Sequence, residues 1–181
     1  MNKLLLASVL FLLLTTSYTA TAQTKLDLKY VDYPQWIEQL EHYQPKIVVV
    51  DFWATWCSSC LERFPHMVEM NKTYQSKGIQ FVSMLLEDPE EPEAIERAKQ
   101  FLSNQFKKGR NIGFDHFFMT ENLMASFEKL DLIGIPAVFI YDQHGNLAHR
   151  LTGDNPNKQF TESDIEKVLK QMLKASNSDV N

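Results

Sequence analysis

The sequence predicts an α/β fold in which helices cover both faces of a central mixed β-sheet. Two observations support this prediction. Runs of β-branched and aromatic residues, each of strand length, alternate with amphipathic stretches of helix length. The last two predicted strands are joined by the turn sequence DQHGN, which indicates an antiparallel hairpin.

The first half of the chain contains two predicted strands, at residues 46–53 and 79–85. Both segments are almost continuously apolar, which is typical of strands that are buried on both faces. A short helix at residues 33–43 precedes them. A longer helix starts at the cysteines and ends near residue 76, where Lys77-Gly78 is a typical stop signal.

The second half adds a strand-helix insertion and then completes the sheet. The insertion is predicted to hold a helix at 93–107, an edge strand at 116–119 and a helix at 121–130 capped by Thr120. We expect its phenylalanines to form its core; they are Phe114, Phe117, Phe118 and Phe127. The remaining elements are strands at 137–141 and 147–152 and a last helix that opens at a Thr161-x-x-Asp164 capping box.

The N-terminus has the pattern of a secretory signal peptide at residues 1–22. Lys3 precedes an apolar stretch at 4–14, and small residues stand before a cut ahead of Gln23. The apolar stretch is shorter than the roughly 20 residues that span a bilayer. We therefore expect export to the periplasm as a soluble protein. The expected mature chain has a single domain at 23–174 and an unstructured tail at 175–181.

The charge pattern argues against nucleic-acid binding. The formal net charge is −5, and the chain has neither a basic block nor alternating basic and aromatic residues. The acidic segment at 87–93 is expected to be a solvated loop.

The only two cysteines, Cys57 and Cys60, lie in the segment VVVDFWATWCSSC. A structural staple is disfavoured because closing so short a loop removes little entropy from the unfolded chain. A structural zinc site would need four ligands. Copper handling, as in a metallochaperone, remains an alternative, although no histidine stands at a recognisable spacing from the pair. The histidines are His42, His66, His116, His144 and His149. The pattern favours a redox couple that needs no metal or other cofactor.

The position of the pair predicts different roles for its members. Cys57 follows a buried strand and opens a helix, where unpaired N–H groups and the helix dipole stabilise a thiolate and lower its pKa. Cys60 lies one turn further into the helix. We therefore predict that Cys57 is the nucleophile and that Cys60 resolves the mixed disulfide.

Two further features are candidates for the site. Asp51 lies inside an apolar strand, where burial should raise its pKa and suit it to accept a proton from the Cys60 thiol. Pro136, after Gly134-Ile135, opens a strand. It is either an ordinary edge feature or a cis proline that leaves the backbone of Ile135 open to pair with an extended substrate peptide.

These residues resemble the thioredoxin superfamily. The resemblance rests on the motif Asp-Phe-Trp-Ala-x-Trp-Cys-x-x-Cys, on Pro65 and on Gly-Ile-Pro before a strand. The signal peptide, the Phe64-Pro65 step and the insertion at about 87–130 are similar to the exported TlpA/ResA-like branch, which includes the reductases of cytochrome c maturation.

The resemblance implies a thioredoxin fold and a thiol-disulfide oxidoreductase that reduces disulfides in specific partner proteins. It implies that Pro136 is cis and packs against the cysteines, that Trp56 belongs to a flat docking surface and that Pro65 kinks the helix. It also implies a membrane thiol donor of the DsbD/CcdA type. A disulfide-forming oxidant is the alternative within the same family.

The chain departs from that branch at two positions. The branch often has Asn where this chain has Asp51, and Glu where it has Arg63, three residues after the second cysteine. Our hypothesis is that Asp51 does the work of the missing helix glutamate. Arg63 either leans toward the cysteines, where it would favour a thiolate, or points into solvent, which is the expectation for a long basic side chain on a helix.

Overall fold

The computed structural model describes residues 26–107, 115–153 and 159–178. The predicted signal peptide lies outside these residues. The strands are β1 (Leu28–Val31), β2 (Ile47–Trp53), β3 (Ile79–Leu85), β4 (Asp115–Met119), β5 (Ala137–Tyr141) and β6 (Leu147–Thr152). The helices are α1 (Tyr33–His42), α2 (Ser58–Tyr74), α3 (Pro92–Lys107), α4 (Leu123–Lys129) and α5 (Glu162–Ser178).

The six strands form one mixed sheet in the order β1-β4-β3-β2-β5-β6. β2 pairs in parallel with β3 and antiparallel with β5, and β5 and β6 form the predicted hairpin. Apolar clusters lie on both faces of this sheet. The predicted α/β fold with a mixed sheet is therefore confirmed.

The central strand β2 is buried along its whole length and separates the two cores. Val49 and Trp53 belong to the core that contains both cysteines, whereas Val50 and Phe52 belong to the opposite core. Because side chains alternate along a strand, Asp51 faces the cysteine side of the sheet.

The insertion has the predicted elements, but two details were wrong. The strand predicted at the edge, now β4, lies between β3 and β1. The edge is taken by β1, which the sequence analysis missed because four residues that include Lys29 give little strand signal. Helix α4 begins at Leu123 with Asn122 as its cap, since the Asn122 side chain accepts a hydrogen bond from the Ala125 N–H at 2.9 Å. Thr120 is not the cap.

The ends of helices α2 and α5 can be compared with the sequence-based predictions. After α2 a short 3₁₀ turn at Gln75–Lys77 leads to Gly78, whose φ of 80° is the left-handed conformation that glycine adopts without strain. The last helix extends to Ser178, so residues 175–178 are helical, where the sequence predicted an unstructured tail. Residues 179–181 and Phe114 lie outside the described ranges. Among the helices in those ranges, none has the length and apolar character needed to cross a membrane.

Candidate active site

The cysteine pair lies at the start of α2, directly after β2 and a three-residue turn. Cys57 and Cys60 form a disulfide with their Cα atoms 5.3 Å apart. Cys57 is the N-cap of α2, and its sulfur accepts a hydrogen bond from the Cys60 N–H at 3.3 Å. The same N–H would stabilise a thiolate at Cys57 after reduction.

The two sulfur-bearing residues differ in access to solvent. Cys57 is 6% exposed, whereas Cys60 is completely buried. The hydroxyl of Ser59 lies 3.6 Å from the Cys57 sulfur, and the Cys60 sulfur faces the carbonyl oxygen of Phe52 at 3.9 Å. Of the two cysteines, only Cys57 has surface exposed to solvent. The roles of nucleophile and resolving cysteine stay a prediction.

Asp51 is buried in the middle of β2 and forms an ion pair with Arg63. The Arg63 Nη2 donates to Asp51 Oδ1 at 2.5 Å, and the two side chains are 6% and 1% exposed, respectively. The expectation that Arg63 is solvated was wrong. Arg63 is on α2, one turn beyond Cys60, and α2 packs over this face of the sheet. The guanidinium also stacks on the ring of Phe160, 5.0 Å from its centroid.

Burial raises the pKa of Asp51 from its usual value, and the attraction of Arg63 offsets this only in part. Within the described residues, Asp51 Oδ2 has no hydrogen-bond partner. Asp51 therefore keeps one oxygen that can accept a proton, on the face of β2 that packs against the cysteines.

A polar row continues from Asp51 across two neighbouring strands. Asp51 is in register with Ser83 of β3, and Ser83 is in register with His116 of β4. The Ser83 hydroxyl and His116 Nδ1 lie 2.7 Å apart in a hydrogen bond. Burial lowers the pKa of His116 to about 4, so the ring is neutral at physiological pH. This row was not predicted, because the register between strands cannot be derived from local sequence patterns.

Glu87 is the second residue after β3 and is buried, at 2% exposed. Its Oε1 accepts two hydrogen bonds from Thr55, one from the backbone N–H and one from the hydroxyl, each at 2.6 Å. The expectation of a solvated loop was therefore wrong for Glu87, although Glu90 and Glu91 are exposed. Thr55 stands two residues before Cys57.

The three residues predicted to bind substrate lie at the surface or at its margin. Trp56 is 55% exposed, and the peptide bond between Ile135 and Pro136 is cis. Ile135 is half-buried and packs partly against the core that contains both cysteines. Within residues 26–107, 115–153 and 159–178, no group of three or more His, Cys, Asp or Glu side chains is placed to hold a metal ion.

Comparison with known proteins gives a family match over most of the chain. The family model described as Redoxin matches residues 32–169. The chain is 23% identical to the thiol-disulfide oxidoreductase ResA of Geobacillus kaustophilus over 173 residues, which cover 93% of this chain and 90% of that protein. It is also 23% identical to ResA of Bacillus subtilis, over 64% of this chain and 58% of that protein.

Solved structures share the fold. A DsbE thiol:disulfide interchange protein of Chlorobium tepidum superposes with a TM-score of 0.56 at 24% identity, covering 74% of this chain and 84% of that one. A thiol-disulfide isomerase of Corynebacterium glutamicum superposes with a TM-score of 0.58 at 18% identity over the same shares. The six-stranded sheet with its flanking helices is thus the thioredoxin fold that the resemblance implied.

Proposed function

Since the chain belongs to the Redoxin family and is a thiol-disulfide oxidoreductase of the ResA/TlpA-like type, we propose that it reduces specific disulfides in exported partner proteins. The observation that carries this proposal is the asymmetric pair at the start of α2. Cys57 is the N-cap and is 6% exposed, whereas Cys60 is completely buried. Export is supported by the leader pattern at residues 1–22.

The reaction transfers two electrons from the cysteine pair to the partner. The Cys57 thiolate attacks one sulfur of the partner disulfide, which forms a mixed disulfide and releases the other sulfur as a thiolate that takes up a proton. Cys60 then loses its proton and attacks the Cys57 sulfur. This step forms the Cys57–Cys60 disulfide found in the structure and releases the second partner thiol.

Asp51 is the proposed acceptor of the Cys60 proton. It faces the cysteine side of the sheet, its pKa is raised by burial, and its Oδ2 is available for a proton. Arg63 holds the other oxygen and thereby fixes the direction in which the carboxyl group points.

Trp56, Ile135 and Pro136 are proposed to border the bound partner. Trp56 is an exposed ring directly before Cys57, and Ile135, which is joined to Pro136 by a cis peptide bond, packs against the core that contains both cysteines. A further dithiol must return two electrons after each turnover. A membrane thiol donor of the DsbD/CcdA type is the proposed source, by the resemblance described above.

The reduction potential of the mature protein tests the direction of electron flow. Equilibration with glutathione or dithiothreitol buffers should give a value nearer that of thioredoxin, about −270 mV, than that of DsbA, about −120 mV. A value near the latter would identify an oxidant and would overturn the proposed direction. In the same system, Cys60→Ser should trap mixed disulfides with partner proteins, and Cys57→Ser should trap none.

Asp51→Asn tests the proton acceptor. Loss of the base should slow release of the partner from the mixed disulfide on the order of 100-fold near neutral pH, while attack by Cys57 keeps its rate. Rapid-mixing kinetics separate the two steps within one variant, so the first step is the internal control. An unchanged second step and an unchanged Cys60 pKa would exclude this role.

A further inference from the structure

Glu87 is a buried carboxyl group that the reaction described above does not use. It lies at the carboxyl end of β3, immediately after Leu86, whose N–H donates to the carbonyl oxygen of Trp53 at 2.8 Å. This bond holds the end of β3 against the end of β2. Glu87 is thereby placed beneath the turn that connects β2 to Cys57.

The carboxyl group holds that turn through Thr55. One oxygen, Oε1, accepts from both the backbone N–H and the hydroxyl of Thr55 at 2.6 Å. The Cys57 N–H in turn donates to the Ala54 carbonyl oxygen at 3.2 Å. Hydrogen bonds from Thr55 to Glu87 and from Cys57 to Ala54 therefore hold the short turn that positions Cys57.

In the part of the chain that the structure describes, no cation balances the charge of Glu87. Among the described residues, no lysine, arginine or histidine forms an ion pair with it, whereas Asp51 is paired with Arg63. The Glu87 oxygen lies 2.6 Å from the Thr55 nitrogen, and two consecutive Cα–Cα steps from Thr55 to Cys57 span at most about 7.6 Å. With the Thr55 N–Cα bond and the Cys57 side chain added, the charge lies within about 15 Å of the Cys57 sulfur. At that distance, in a poorly solvated site, two negative charges repel each other by an amount that changes an ionisation equilibrium.

We propose that Glu87 is a positioning residue that fixes the turn before Cys57, and that its buried negative charge disfavours the Cys57 thiolate. The helix N-terminus and the Cys60 N–H act in the opposite direction. Because Glu87 destabilises the Cys57 thiolate, it destabilises the reduced form of the cysteine pair relative to the disulfide. At any pH at which Cys57 is ionised, the pair is therefore a stronger reductant. The inference rests on the proposed role of Cys57 as the nucleophile.

Glu87→Gln tests the charge while it keeps an oxygen that can accept from Thr55. In the reduced mature protein, the pKa of the Cys57 thiol, followed by thiolate absorbance, should fall by about one unit. The equilibrium with glutathione, measured at a pH above that pKa, should move about ten-fold toward the dithiol. Glu90→Gln is the matched control because it removes the same charge from an exposed position in the same loop, and it should cause neither change.

Thr55→Val separates charge from positioning, since it removes one hydrogen bond and keeps Glu87 charged. It should leave the Cys57 pKa within a few tenths of a unit of the wild-type value. The inference is overturned if folded Glu87→Gln titrates like the wild type, or if Thr55→Val shifts the pKa as far as Glu87→Gln. These outcomes are distinct from failure of the proposed function, which the wild-type potential and the trapping experiment decide without either variant.

Discussion

Asp51 and Glu87 are both buried carboxyl groups close to the cysteine pair, but different kinds of neighbouring groups stabilise their negative charges. Asp51 is paired with the guanidinium of Arg63, and Glu87 is held by two neutral donors of Thr55. An ion pair largely cancels the field of a carboxylate at a distance, whereas neutral hydrogen bonds satisfy the oxygen and leave its charge in place.

The two carboxyl groups are also proposed to act on different cysteines. Asp51 lies within β2 on the cysteine side of the sheet, where proton transfer from Cys60 is proposed. Glu87 lies beneath the turn that leads to Cys57. A carboxyl group that must gain and lose a proton, such as Asp51, is paired with a cation. A carboxylate that acts only through its electric field, such as Glu87, is held by neutral donors.

The largest effect is expected when Arg63 is replaced by Met, which leaves Asp51 buried without its cation. Removal of one partner of a buried ion pair should lower the free energy of unfolding by about 3–5 kcal/mol. Urea denaturation measures this loss, and adding Asp51→Asn should recover most of it in a double-mutant cycle. Arg97→Met, at an exposed position of α3, is the control. Equal losses for the two arginines would mean that the pair contributes little.

A smaller effect concerns His116, at the end of the polar row that begins at Asp51. The folded protein binds a proton at His116 only near pH 4, whereas the unfolded chain binds it near pH 6.5. The unfolded state therefore holds more protons between these values, and stability is lost as the pH falls through that window. The slope is about 1.4 kcal/mol per pH unit, or about 3 kcal/mol in total.

His116→Gln should remove that slope from the pH dependence of the free energy of unfolding, as followed by urea denaturation at several pH values. His149→Gln is the matched control because His149 is exposed on β6. If both variants keep the wild-type slope, the acid sensitivity comes from other groups and His116 is not held neutral by burial.

The smallest effect is expected for Thr55→Val, which removes one of the two neutral donors to Glu87. Loss of a hydrogen bond to a buried carboxylate should lower the free energy of unfolding by about 1–2 kcal/mol. Thr73→Val removes an exposed hydroxyl from α2 and should change stability by less than about 0.5 kcal/mol. Indistinguishable melting curves for the two variants would show that the Thr55 hydroxyl does not support Glu87.

The sequence predicted most of the fold because its signals are local. Apolar runs of seven residues indicated β2 and β3, and periodic apolar positions indicated α3 and α5. The edge strand β1 was missed, since four residues at the border of a sheet need little hydrophobicity. Its pairing with β4 connects segments far apart in the sequence, and no local pattern reports such a contact.

Site residues could be predicted where their chemical type is unusual for the sequence around them. Two cysteines one turn apart after a buried strand, and an aspartate within that strand, each stand out in the sequence. Arg63 and Glu87 do not, because a basic residue on a helix and a glutamate in an acidic loop are normally solvated. Their burial depends on partners 12 and 32 residues away, at Asp51 and Thr55, which only the folded chain brings close.

The hydrogen bonds between Thr55 and Glu87 also matter for how the redox properties of related proteins can change in evolution. The dipeptide between the cysteines is the obvious place for a lineage to adjust its electron-transfer properties. Here a second adjustable position lies outside that motif, at Glu87, the second residue after β3, where the insertion begins. A change of one residue there would alter the chemistry of the thiols and leave the motif, by which relatives are recognised, intact.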